Sequence, residues 1–111
     1  MNNLINIEKT LKINLLLDFY YPLLTKKQLD YMQLYFKEDL SLQEIASIHN
    51  VSRNAVYDTI QRSIKQLDNY ELKLQLLSKY NKRQEIIRIV RDEFNDNKII
   101  NKYLKQLEDI D

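Results

Sequence analysis

Residues 41–60 read S-L-Q-E-I-A-S-I-H-N-V-S-R-N-A-V-Y-D-T-I, two short helices joined by a tight turn. Ser41 and Glu44 form an S-x-x-E capping box, in which each side chain satisfies a backbone N–H that the start of a helix leaves unpaired. Ile45 and Ala46 supply an apolar face with a small residue, where a second helix can approach closely. Asn50 stands where the turn needs a left-handed backbone, and after Gly it is the residue best suited to one. Val51 is expected to be a buried anchor of the turn, and Ser52 to cap the next helix. Val56 and Ile60 lie at helical spacing on the inner face of that helix. Arg53, Asn54, Tyr57, Asp58, Gln61 and Arg62 therefore point outward, where the second helix of a helix-turn-helix carries its contacts.

Composition agrees with a helical reading. The chain has 111 residues, no Gly and the single Pro22, so the usual residues of turns and β-hairpins are absent and an all-α domain is favoured. Its 44% apolar content suffices for one modest core, not two. Zero Cys and the lone His49 argue against disulfides and against thiolate or histidine metal sites, so no cofactor or metal is expected. His49, beside Asn50, reads as a turn residue, since no nucleophile or second base is spaced to work with it. The acid pairs Glu38/Asp39 and Glu108/Asp109 read as solvated helix ends. No catalytic residue is expected. With no signal peptide or apolar run of membrane length in view, a reducing cytoplasmic setting is the expectation.

Net charge is only +1, but it is unevenly spread. Residues 71–91 carry six basic and two acidic side chains, whereas residues 92–111 carry three and six. Lys73, Lys79, Lys82, Arg83, Arg88 and Arg91 therefore form a candidate secondary basic face toward a polyanion. The alternative is that they are the solvated side of amphipathic helices.

Periodicity organises the rest. A first helix over about residues 4–19 carries Leu4, Ile7, Leu11 and Leu15 on one stripe, which Leu16, Leu17 and Phe19 widen near its end, and it ends before Pro22. A second begins at Thr25, where T-K-K-Q forms another capping box with Gln28, and turns Leu29, Met32 and Phe36 inward. Beyond the motif, Ile60, Ile64, Leu67, Leu74 and Leu77 continue one apolar seam, so a long recognition helix from Ser52 is expected. Residues 1–80 then form the core, and residues 81–111 an amphipathic helical tail packed on that core or on a partner subunit. Such spare apolar surface predicts a homodimer.

The segments L-D-F-Y-Y-P-L-L-T-K-K-Q at 17–28, S-L-Q-E-I-A at 41–46 and V-S-R-N-A-V-Y-D at 51–58 together resemble the YlxM family of small bacterial helix-turn-helix proteins. The similarity runs from about Leu16 to Tyr80, and its specific part is the D-F-Y-x-P-L-L-T lead-in, because the motif itself is shared with many regulators. The resemblance implies an all-α fold related to region 4 of sigma factors. It also implies a link to the signal recognition particle, whose GTPase and receptor genes the family's genes accompany, an accessory or regulatory role, and no enzyme activity.

The expected nucleic-acid-binding set is Arg53, Asn54, Tyr57, Gln61, Arg62 and Lys65, with Arg53, Asn54 and Tyr57 toward bases and Arg62 and Lys65 on phosphates. Asp58 opposes such a role unless it pairs with Arg62 one turn on. Three bases against two acids over residues 52–70 is lean for a duplex-DNA reader, whose affinity is mostly phosphate neutralisation. Three readings remain: a signal recognition particle accessory that binds the particle's RNA or its GTPase protein, a sequence-specific DNA-binding regulator, and a homodimeric structural protein. Exposed Tyr can stack on unpaired bases, but Tyr21, Tyr31 and Tyr35 read as packing residues.

Overall fold

The computed structural model describes Leu4 to Asp111, with side-chain surroundings from Ile7 onward. Among the described residues there are six α-helices, one 3-10 turn and no strand. The chain divides into two compact units, the first ending at Leu74 and the second spanning Gln75–Asp111.

In the first unit, α1 (Leu4–Tyr20) runs into a 3-10 turn (Tyr21–Leu23), followed by α2 (Lys26–Phe36), α3 (Leu42–His49) and α4 (Arg53–Leu74). Pro22 lacks an N–H and disfavours the α conformation at the residue before it, so the helix cannot pass it. The chain tightens instead, and the Leu24 N–H closes on the Tyr21 carbonyl at 3.2 Å. Both capping boxes form. The Gln28 N–H donates to the Thr25 hydroxyl and the Thr25 N–H to the Gln28 side-chain oxygen, at 3.2 and 3.0 Å. The Glu44 N–H donates to the Ser41 hydroxyl and the Ser41 N–H to the Glu44 carboxylate, at 3.1 and 2.9 Å. The backbone donor at Ser41, then its side chain, holds the Glu44 carboxyl below its ordinary range.

The turn between α3 and α4 is left-handed at Asn50, with φ 55° and ψ 47°. The N–H groups of Asn50 and Val51 both donate to the Ala46 carbonyl, which satisfies an acceptor that the end of α3 would otherwise leave open. Ser52 caps α4 by accepting from the Ala55 N–H at 3.0 Å.

α4 is the hub of this unit and touches α1, α2 and α3. Its buried residues are Val56, Ile60, Ser63 and Leu67. They share the core with Ile13, Leu16, Leu17 and Tyr20 of α1, Tyr31 and Met32 of α2, and Ile45 and Ala46 of α3. Burial stabilises by roughly 1.5–3 kcal/mol for each large apolar side chain. Ser63 is polar and fully buried, yet its hydroxyl donates to the Thr59 carbonyl one turn back at 2.7 Å, so no hydrogen bond is lost.

Side-chain hydrogen bonds tie the elements together. The Gln28 amide donates to the Gln66 side-chain oxygen at 3.1 Å, the Gln66 amide to the Tyr70 hydroxyl at 2.6 Å, and that hydroxyl to the Leu23 carbonyl at 3.3 Å. This relay joins the start of α2 and the 3-10 turn to α4. Asn14 donates from its amide to the Phe36 carbonyl at the end of α2 at 3.1 Å, and the Tyr20 hydroxyl donates to the Glu71 carboxylate at 2.7 Å.

Several expectations change here. The α1 stripe is buried only near its end: Leu16 and Leu17 turn inward with Ile13 and Tyr20, Phe19 is half-buried, and Ile7, Leu11 and Leu15 are 55%, 60% and 37% exposed. The Leu4 side chain lies outside the described ones. Val51 is 37% exposed and so does not anchor the turn from the core; its backbone N–H does the anchoring. Tyr21 is half-exposed, whereas Tyr31 is buried with its ring 4.8 Å from that of His49. The apolar seam of α4 does not continue through Leu77 in one helix. Gln75 takes a left-handed conformation, φ 57° and ψ 31°, and a new helix begins after it.

The second unit is a hairpin of α5 (Leu76–Glu93) and α6 (Lys98–Ile110). Asn97 caps α6 by accepting from the N–H groups of Ile99 and Ile100 at 3.1 and 3.0 Å. Its buried aliphatic residues are Leu77, Ile87 and Leu104. Two bidentate ion pairs cross it, Arg83 to Asp111 at 2.7 Å and Arg91 to Glu108 at 2.6 Å. A hydrogen bond from Arg91 keeps the Glu108 carboxyl below its ordinary range, against a smaller opposing effect of burial.

Candidate nucleic-acid interface

Helical spacing and burial together fix the outer side of α4. With Val56, Ile60, Ser63 and Leu67 turned inward, Arg53, Asn54, Tyr57, Gln61, Arg62 and Lys65 are all exposed. These are the side chains expected at the interface, and the structure sets them on one helix. Asn54, Gln61 and Lys65 face directly away from the buried row, with Arg53 and Tyr57 on one flank and Arg62 on the other. Asp58 is exposed among them, and it forms no ion pair with Arg62 among the described residues. The pairing that would have screened this acid is absent, so it weakens the positive potential of the face.

Tyr57 is 48% exposed. It and Gln61 border a groove of about 520 Å³, together with Ile60 and Ile64 of α4, Tyr35 and Phe36 at the end of α2, the turn residues Asp39 to Leu42, Glu44 of α3, and Lys9 and Thr10 of α1. Its lining mixes aliphatic and aromatic side chains with amide, hydroxyl, ammonium and carboxylate groups. A flat apolar ring with polar edges fits such a surface; a row of phosphates does not, because Asp39 and Glu44 repel them. Lys9, Thr10, Tyr35 and Asp39 were not read as site residues. They reach α4 only through the tertiary fold, and no spacing in the sequence brings them there.

The candidate secondary basic face is divided. Lys73 belongs to α4 and the first unit, and Lys79, Lys82, Arg83, Arg88 and Arg91 to α5 and the second. Arg83 and Arg91 are committed to Asp111 and Glu108, and Arg88 pairs with Glu85 at 2.7 Å and Asp92 at 3.2 Å. Lys73, Lys79 and Lys82 are exposed and have no acidic partner among the described residues. Among the described residues no three acids or histidines gather where a metal could bind, and no helix is long and apolar enough to cross a membrane.

A capped short helix, a left-handed Asn turn and a longer capped helix with an exposed polar row define a helix-turn-helix protein. The chain belongs to the UPF0122 family, described as "helix-turn-helix protein, YlxM / p13 like", whose model matches residues 7–107. It is 41% identical over 106 residues to the UPF0122 protein of Staphylococcus epidermidis RP62A, covering 96% of each chain. It is 46% identical over 101 residues to UPF0122 proteins of Bacillus cereus AH187 and Bacillus anthracis A0248, covering 91% of this chain and 92% of each relative. UPF0122 is a helix-turn-helix family and not a known enzyme family. Nucleic acid is the partner that this motif commonly serves.

Proposed function

We propose that the chain is a cytoplasmic accessory or regulatory protein of the signal recognition particle pathway that binds the particle's RNA through the outer side of α4. The observation that carries the RNA reading is that half-exposed Tyr57 and Gln61 border one groove lined by both aromatic and polar side chains. An unpaired base can stack on the phenol ring and meet the amide with its polar edge. Arg62 and Lys65, exposed and unpaired with any acid among the described residues, supply phosphate contacts. The particle itself enters through the YlxM likeness. A second copy of the chain is the other partner in this reading. Binding to the particle's GTPase protein, or to a specific DNA operator as a transcriptional regulator, would use the same face.

Duplex DNA fits less well, since Asp58 and Asp68 stand among few bases on α4 and nothing there screens Asp58. The deciding measurement is affinity for the particle's folded RNA against duplex DNA of equal length at matched, physiological salt. RNA should bind more tightly, and Tyr57→Ala should weaken it by about 1–3 kcal/mol, the contribution of one stacked base. Replacing Arg62 and Lys65 with Glu should lower the salt slope by about two units. Equal or tighter DNA binding would favour the regulator, and an unchanged slope would move the phosphate contact to Lys79 and Lys82 of α5.

A further inference from the structure

α6 is the most strongly two-sided helix in the chain. Leu104 and half-buried Ile100 face α5, and Ile99, Tyr103, Leu107 and Ile110 remain 69%, 56%, 44% and 79% exposed. So much adjacent apolar surface on a four-turn helix marks an interface. The hairpin that carries it buries few aliphatic side chains of its own, and units of about 40 residues commonly need further support such as oligomerisation.

The identity of the occupant is written in the charges beside this face. Ile99, Tyr103, Gln106 and Ile110 follow alternating steps of four and three residues, the spacing of a seam between two paired helices. Lys102 and Asp109 each precede a seam residue, on the same flank. Both are exposed, and neither pairs with another charge among the described residues. If a second α6 runs antiparallel, Ile99 meets Ile110 and Tyr103 meets Gln106. The same register brings Lys102 beside Asp109 of the second copy and Asp109 beside Lys102, while Ile100 and Leu107 meet on the other flank. A parallel pairing would set Lys102 against Leu107 and leave both charges unmatched.

We propose that α6 is a homodimer interface, in which two copies pair antiparallel about a two-fold axis with Lys102 of each chain beside Asp109 of the other. This rests on the homodimeric part of the reading above and is independent of its RNA part. The seam first expected to join subunits is not available, since Ile60 and Leu67 are buried inside their own unit. Apolar side chains also stay exposed on α1 and α5, among them Leu11 and Ile86, but the row on α6 is the one flanked by charges that a second copy complements.

Sedimentation of the full chain at micromolar concentration tests this, with circular dichroism to check helix content. The wild type should be dimeric and Tyr103→Asp monomeric. Lys102→Glu alone and Asp109→Lys alone should each weaken the dimer about tenfold, because like charges then oppose one another twice per interface. Mixing the two single variants should restore a heterodimer, and combining both changes in one chain should restore a homodimer. A wild type that stays monomeric overturns the homodimer and the α6 interface together, leaving the face for another protein. A dimer untouched by Tyr103→Asp overturns only the α6 interface. Single variants that weaken but do not complement each other overturn the antiparallel register.

Discussion

Ala46 is the most demanding position in the motif. It is 1% exposed, on the helix that packs on both α2 and α4. Ala46→Glu would place a carboxyl there with no partner on hand. Water is excluded, so the native chain must keep the acid protonated. At pH 7 that costs about 1.4 kcal/mol for each unit above an ordinary pKa of about 4.3, or roughly 3.7 kcal/mol. Overpacking adds roughly 1–3 kcal/mol. A total near 5–7 kcal/mol compares with the roughly 5–15 kcal/mol that stabilises a typical domain, so the variant should be partly or wholly unfolded at neutral pH. The sign with pH follows from proton counts. Above about pH 4.3 the folded variant binds more protons than the unfolded chain, so its deficit grows with rising pH by up to about 1.4 kcal/mol per unit; below that only the packing cost remains. Urea melts of wild type, Ala46→Glu and Ala46→Gln between pH 4 and 7 provide the assay. Ala46→Gln should show a deficit that does not vary with pH. An unchanged urea midpoint for Ala46→Glu would refute the helix-turn-helix packing, and a deficit flat in pH would mean that the carboxyl reaches water.

Three further outcomes are expected. Asn50→Gly should leave stability unchanged or raise it by up to about 1 kcal/mol, whereas Asn50→Val should cost about 1–2 kcal/mol, because a β-branched residue resists the left-handed turn; thermal melts of the pair decide this. Tyr70→Phe removes the hydroxyl between Gln66 and Leu23, and should cost about 1–3 kcal/mol in urea denaturation, with a larger loss if the Leu23 carbonyl stays dry. The Glu108 carboxyl is held low by Arg91, so the pair's contribution is present above the ordinary carboxylate range and fades as pH falls through the depressed value, below about pH 4. An NMR titration should place the Glu108 midpoint higher in Arg91→Gln than in the wild type, and identical midpoints would remove the pair from the account.

Local chemistry was legible and long-range choice was not. The capping boxes at Thr25 and Ser41, the cap at Ser52 and the turn at Asn50 depend on residues within four positions of one another, and each formed as read. The exposed row from Arg53 to Lys65 followed from Val56 and Ile60 alone. On α1 the run Leu15–Leu16–Leu17 puts apolar groups all round the helix, so more than one stripe satisfies the period, and only the position of α4 decides which is buried. Ser63 looks polar in the sequence, but a bond to its own helix makes it fit for the core. Neither Gly nor Pro marks the break at Gln75, and a good helix former in the left-handed region leaves no local signal. The groove beside Tyr57 and Gln61 draws on residues from α1 and α2 that are far apart in the chain, which is why half of the candidate site could not be foreseen.

The relay from Gln28 through Gln66 and Tyr70 to the Leu23 carbonyl consists of amide, phenol and peptide groups. Added salt screens charges and leaves such bonds nearly untouched. The clamp that holds α2 and the 3-10 turn to α4 should therefore stay closed across an ionic-strength titration, while contacts made by Arg62 and Lys65 fade. Loss of a nucleic-acid ligand at high salt can then be read as loss of counterion release at the surface, with the presenting helix still in place.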